Sequence, residues 1–386
     1  MKLFDHPLWL AGFRPFFALA CLSGLSLPLL WVLIYGGTLV APGGPVSGLQ
    51  WHAHEMFFGF GWAILGGFLL TSTKNWVQVR GYHGAALCYL ACTWGFERIG
   101  MALGGSWPPL LFQLSNNLFL GSIVAMVLYT LIRYRQQDAY RDNAFFLVLL
   151  PLFLIAKHLL LSADHYQAGW TMALGLFRLA FLVMLERTLS QFMKGVFQVS
   201  ILRYPPLDMA IKLLGLALVF VPALPPTLAA ALALLLAALL LGRFAYWQPL
   251  RGLSRIDIGV MYLGYLAIVA QLLLSALEPW LHPAWIGALP LHVFTFGAMG
   301  LIVPAMIVRI SRGHTGRKVV FEAADKAALH LMLLGFAARI LLPQLDPAHY
   351  LRWLHLAAGA WFGCFAILAW RYIPMLLQAR IDGKEH

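Results

Sequence analysis

Residues 225–244 read PPTLAAALALLLAALLLGRF: two prolines, then alanine and leucine with a single threonine, and no charge before Arg243. Twenty residues in helical form extend about 30 Å, the thickness of a bilayer's hydrocarbon core. The run shows no polar–apolar alternation, which argues against a barrel strand. Lipid offers no partner to unpaired backbone groups, so a membrane-spanning helix is the structure left.

Runs of this kind recur along the chain. They read as spans at 16–36, 51–72, 84–103, 108–132, 143–162, 168–192, 207–223, 225–244, 256–277, 284–310, 325–343 and 351–378, with breaks such as Pro42-Gly43-Gly44-Pro45 and Pro108-Pro109. Of the 386 residues 61% are hydrophobic and 11% charged, against about 25% charged in a soluble domain. No stretch shifts toward soluble composition. The expected architecture is therefore an all-α polytopic membrane protein, a single transmembrane domain over 1–386 with about twelve helices in one bundle.

Lysine and arginine orient it. Alternate loops carry Lys74 and Arg80; Arg133, Arg135 and Arg141; Arg187, Lys194 and Arg203; Arg243, Arg251 and Arg255; and Arg309, Arg312, Arg317 and Lys318, while Lys2 and Arg14 precede the spans and Arg371, Arg380 and Lys384 end them. The intervening loops carry almost none, so the positive-inside rule puts both termini in the cytoplasm. The net charge of +12 is scattered over these loops and forms no stripe, so nucleic acid is not the expected partner; membrane lipid is. Cys21, Cys88, Cys92 and Cys364 all fall in apolar runs, which argues against a disulfide framework. The first residues lack the short apolar core and small-residue cleavage site of a signal peptide.

Thirteen histidines are unusual in so apolar a chain. His52, His54, His158, His292 and His355 fall in the outer parts of their helices, at one depth of the membrane. The sharpest feature is Trp51-His52-Ala53-His54-Glu55 at the outer end of the second span. On a regular helix His52 and Glu55 share a face and His54 points nearly opposite. That helix could stand between two metal centres; it could equally carry two interfacial histidines and a solvated glutamate. Neutral imidazole suits iron and copper, and haem held by helical histidines inside a bundle is a common arrangement. Five cations break the cytoplasmic pattern: Arg98, Lys157, Arg178, Arg339 and Arg352. An intramembrane charge costs about 2.5–3.5 kcal/mol even on a lenient scale, so each calls for an anion or for snorkelling to the headgroups. Glu55, Glu97, Asp164 and Glu278 are the few carboxylates at that depth, and haem propionates would be others.

The segment Trp51-His52-Ala53-His54-Glu55-Met56-Phe57-Phe58-Gly59-Phe60, with Gly67-Phe68-Leu69-Leu70-Thr71 and Asn75-Trp76, resembles the NnrS family of twelve-span membrane proteins. The second anchor is His292, Gly297, Gly300, Arg309, Ser311 and Gly313-His314-Thr315-Gly316-Arg317. The resemblance runs over the whole chain. It implies a haem- and copper-containing protein of the bacterial inner membrane, linked to nitric oxide and nitrosative stress. It carries over His52, His54, Glu55, His292 and His314 as family positions, with Arg98 and Arg339 beside them. Two departures stand out: Glu186-Arg187-Thr188-Leu189-Ser190-Gln191-Phe192 replaces a Gly-Gly-Arg-Val-Ile-Pro-like segment, and Lys74 stands where proline is common.

The function expected from these readings is a b-type haem protein, with copper or a second haem, that binds nitric oxide and acts on it as an oxidoreductase with an unidentified electron donor. His54 and His52 would serve centres on the two sides of the second span. His292, His158 and His355 would add ligands, and His314 is a further metal position. Arg98, Arg178 and Arg339 would hold propionates, and Glu55 would relay protons. The rival readings are a twelve-span secondary transporter and a haem or copper carrier without turnover. Six-plus-six repeats would mark the transporter, but the eighth span has no counterpart to the histidine-rich second.

Overall fold

The structure, a computed structural model, describes residues 3–42 and 44–384; Lys2, Gly43 and His386 lie outside them. The described residues are mostly helical and form no strand. The helices are α1 (Phe13–Tyr35), α2 (Gly48–Val77), α3 (Ala85–Leu103), α4 (Pro109–Arg133), α5 (Ala144–Leu161), α6 (Tyr166–Phe197), α7 (Pro205–Ala223), α8 (Pro226–Tyr246), α9 (Ile256–Leu281), α10 (Leu289–His314), α11 (Ala323–Leu345) and α12 (Pro347–Leu376). By length and composition eleven of these can cross a membrane. The twelfth, α3, has 19 residues and is long enough, but Glu97 and Arg98 dilute its apolar character. The all-α polytopic class is as expected from the hydrophobic runs.

Three helices are far more enclosed than most. The apolar windows of α2, α6 and α10 are 78%, 78% and 83% buried, against 33–39% for most of the others. Arg178 of α6 is buried among protein, so snorkelling does not explain it.

Contacts divide the chain into two compact units. The first comprises residues 1–169, 306–320 and 362–386, and the second 170–305 and 321–361. In the first, α1 lies close along α2: the Phe13 amide donates to Thr71 Oγ1 at 2.8 Å, and a Cβ on Gly67 would sit 2.8 Å from Phe16 Cβ. In the second, α9 and α10 approach as closely, since a Cβ on Gly264 would meet Ile302 at 2.6 Å. Small residues let helix backbones come together where no hydrophobic force drives them.

Two of the most enclosed helices depart from regular α geometry. Residues Glu55–Gly61 of α2 and Val293–Met299 of α10 form seven-residue π-helical segments. Widened turns of this kind are rare and are frequent at functional sites.

A buried charge cluster at the mouth of α2 and its counterpart on α10

Local chemistry sets the first histidines. Ser47 caps α2 in a capping box with Gln50, whose side chain returns to the Ser47 amide at 3.1 Å. The Gln50 amide also donates to the carbonyls of Leu160 and Leu161, at 3.3 and 3.1 Å, which satisfies the open end of α5. The start of α2 is thus pinned before the chain reaches His52.

His54 is fully buried. Its Nδ1 lies 3.3 Å from Glu55 Oε1 and its Nε2 lies 3.3 Å from Glu97 Oε1. Arg98 spans both carboxylates, with Nη2 3.2 Å from Glu97 and Nη1 3.4 Å from Glu55. Lys157, on α5 and fully buried, donates to Glu97 and to the Asn116 carbonyl. With His54 neutral, two carboxylates balance two cations. The Arg98 guanidinium sits 5.3 Å from the Trp94 ring centroid, and Trp94 Nε1 donates to the Gly59 carbonyl at 3.1 Å. That bond serves a π-segment carbonyl, and Gly59 has no Cβ because one would lie 2.0 Å from Arg98 Nη1. The cluster still holds buried atoms without hydrogen bonds of good geometry, His54 Nε2, Glu97 Oε2 and the Arg98 nitrogens among them.

The expected pairing of Glu55 with His52 is overturned. Glu55, the first residue of the π-segment, joins its neighbour His54 and Arg98. His52 instead stacks on Trp31 of α1, with centroids 4.2 Å apart and planes 7° apart.

On α10, Pro290 opens the helix and His292 immediately precedes the π-segment. His292 is half-buried and its Nδ1 lies 3.0 Å from the Ala288 carbonyl. The Arg339 guanidinium reaches the two ring nitrogens at 3.1 and 3.3 Å, the Gly287 carbonyl at 3.2 Å and Tyr350 Oη at 3.5 Å. Gly287 has φ +68, and a Cβ there would lie 2.3 Å from the same Tyr350 oxygen.

These two regions are one pattern repeated. His54-x-x-x-Phe58-Gly59 and His292-x-x-x-Phe296-Gly297 lie 238 residues apart, as do the π-segments (55–61 and 293–299) and the starts of the following helices at Ala85 and Ala323. The packing repeats too. Arg98 meets Gly59, and Phe336, at the equivalent position, meets Gly297.

The other expected site residues fall elsewhere. His158 and His355 are exposed. Arg178, on α6 and buried, is held by neutral acceptors, Gln271 Oε1 at 2.9 Å and the Leu218 carbonyl at 3.4 Å. His314 lies at the other end of α10, 5.4 Å from the Phe13 ring and in the electrostatic field of Arg380, Lys74 and Arg14. The unusual segment at 186–192 also finds its reason. Buried Glu186 pairs with Arg203 and with Lys212 at 3.0 Å, and Arg243 joins it to Asp208 at 3.2 Å, so the segment anchors an ion network among α6, α7 and α8. Sequence marks Glu97 and Lys157 only as charges in need of partners. Nothing in their spacing, 60 residues apart, shows that they partner each other.

The class defined by fold and site is an all-helical, multi-pass membrane protein in which two of the three most enclosed spans, α2 and α10, open with histidines beside ionic groups. A protein-family model described as NnrS protein matches residues 7–380, and the chain belongs to the NnrS family. No curated protein matches it.

Proposed function

We propose that this chain is a haem-binding protein of the bacterial inner membrane that binds nitric oxide and takes part in its reduction, with both termini and the cation-rich face in the cytoplasm. The observation that carries the reading is the repeated histidine at the mouth of a π-helical, deeply enclosed span. Supporting a haem at α10, a backbone carbonyl on Nδ1 orients the imidazole as ligating histidines are oriented, and Arg339, which would have to move off Nε2 for iron to take that nitrogen, offers with Tyr350 donors for a carboxylate. A bound b-type haem would supply iron that binds nitric oxide and passes to it electrons from an external donor.

The chain's own groups do the rest. His292 and Arg339 bind and orient. Arg178, whose hydrogen-bond partners are neutral, offers a charge to a second propionate or another anion. At α2 both nitrogens of His54 face carboxylates, so we assign His54 with Glu55 and Glu97 to holding and passing protons, which reduction of nitric oxide consumes. Arg98 and Lys157 hold those carboxylates in place. His52, His158, His355 and His314 are left outside the haem set. Copper finds no ready site: among the described residues no three His, Cys, Asp or Glu side chains are grouped to hold an ion.

The test is the absorption spectrum of protein purified in mild detergent, oxidised and reduced, with and without nitric oxide, and metal analysis of the same sample. A b-type spectrum that shifts with nitric oxide is expected. His292→Ala should lose haem, whereas His54→Ala should keep it and slow steady nitric oxide consumption. Colourless protein from haem-replete cells sinks the proposal and leaves the transporter as the better account; unchanged haem in His292→Ala overturns the assignment of that ligand.

A further inference from the structure

The first unit contains two adjoining cavities that the haem reading does not use. One, of about 320 Å3, lies between the far ends of α2 and α4; the other, of about 50 Å3, runs from it toward His314 and Arg380. Lys74 and Tyr82 line both. Arg80, on the strap after α2, lines the larger, along with Tyr129, Tyr134 and Val127. Tyr82 is fixed there by its hydroxyl, which donates to the Met126 carbonyl at 3.0 Å and lies 3.1 Å from Thr130 Oγ1.

The charges are unbalanced. Neither Lys74 nor Arg80 has a carboxylate partner among the described residues, and neither side chain makes a hydrogen bond there. The nearby carboxylate, Asp382, is taken by Arg380 in a two-point pair at 2.9 and 2.6 Å. Arg14 and Arg317 add positive field around Arg380. Depth narrows what balances this charge. Lys74 lies in the last turn of α2, Tyr134 directly follows α4, and the wall between them combines tyrosines with apolar side chains. That combination, on the face the positive-inside rule gives to the cytoplasm, matches the headgroup layer. A basic pocket between span ends at that level suits an anionic headgroup.

We infer that the cavity between the inner ends of α2 and α4 is a binding site for the phosphodiester of an anionic phospholipid, held by Lys74 and Arg80 with the tyrosine wall along its glycerol. A soluble phosphate would use the same cations but gain nothing from the tyrosine and valine side.

The whole protein, delipidated in detergent, is titrated with phosphatidylglycerol, phosphatidylcholine or inorganic phosphate. Binding is followed by native mass spectrometry and by thermal unfolding. Phosphatidylglycerol should bind in preference to phosphatidylcholine. Lys74→Gln/Arg80→Gln should weaken it on the order of 25-fold, from about 1 kcal/mol for each basic group, and Lys318→Gln should leave it unchanged. Arg80→Gln alone, an exposed change, gives an intermediate loss should the double variant fold poorly. Equal binding of the two lipids, an equal loss in Lys318→Gln, or saturation by inorganic phosphate at the same concentration each overturns the inference.

Discussion

The π-helical segments of α2 and α10 begin alike, with a histidine, a phenylalanine and a glycine at matching positions, and end in opposite company. Against α2, the neighbouring helix presents Glu97 and Arg98; against α10, the residues 238 positions on are Gly335 and Phe336. So His54 is sealed in a balanced ionic cluster, while Phe296 packs on Gly335 and Phe336 fills the place above Gly297. His292 is left half-buried with a single guanidinium beside it. One backbone device thus serves two chemistries, and the side chains on the facing helix decide which.

The largest test of that contrast removes one charge from the α2 cluster. Lys157→Met leaves Glu97 buried without its closest cation and should destabilise the protein by about 3–5 kcal/mol, read from thermal unfolding in detergent. Glu97→Gln with Lys157→Met should recover much of the loss, because no buried charge is then orphaned by the lysine's removal. If the single and double variants unfold alike, the cluster is not held by that pair.

Next come the matching glycines. Gly297→Ala places a Cβ 2.6 Å from Ala267 Cβ and 2.8 Å from the Phe336 ring, a packed apolar site, and should cost about 1–3 kcal/mol. Gly59→Ala meets the ends of the Arg98 and Glu55 side chains, so it should cost less stability while breaking the Arg98–Glu55 contact. Equal destabilisation would show that the ionic side is as rigid as the apolar one.

Trp94→Phe isolates a smaller difference. It removes one of the two donors to the Gly59 carbonyl, which keeps the Trp62 amide, while an aromatic face stays toward Arg98, and should cost about 1 kcal/mol. The position 238 residues on is Met332, which has no such donor, so Met332→Leu should lie near zero on the same scale.

The smallest effect lies outside the spans. Arg380 holds the Asp382 carboxyl down to about 2 from its usual 3.8. Because the folded value is depressed, whatever this pair contributes is fully present above pH 4 and fades as pH falls through about 2. Asp382→Asn should therefore change nothing that depends on pH near neutrality. A variant that shifts the unfolding midpoint between pH 6 and 8 would place another titrating group at this clasp.

Much of the fold was legible in the chain. Apolar runs of bilayer length placed the helices, although α2 starts at Gly48 and α6 runs on to Phe197, beyond the residues where hydropathy stops. The histidines at 52, 54 and 292 stood out because polar groups are costly in such runs. The repeat at an interval of 238 residues was present in the sequence as well, but it relates the second span to the tenth, and a six-plus-six comparison sets the second against the eighth. The π-segments carry no local signature beyond their glycines, so the partner of Glu55 could not be read from helical spacing.

Chain composition and the period of its apolar runs suffice to determine a multi-pass helical membrane protein, because lipid forbids every alternative for segments of that length. Which buried charges neutralise one another was decided only by packing. Glu97 and Lys157, or Glu186 and Lys212, meet through helices distant in sequence, and a pairing energy that falls steeply with distance leaves no trace in residue order.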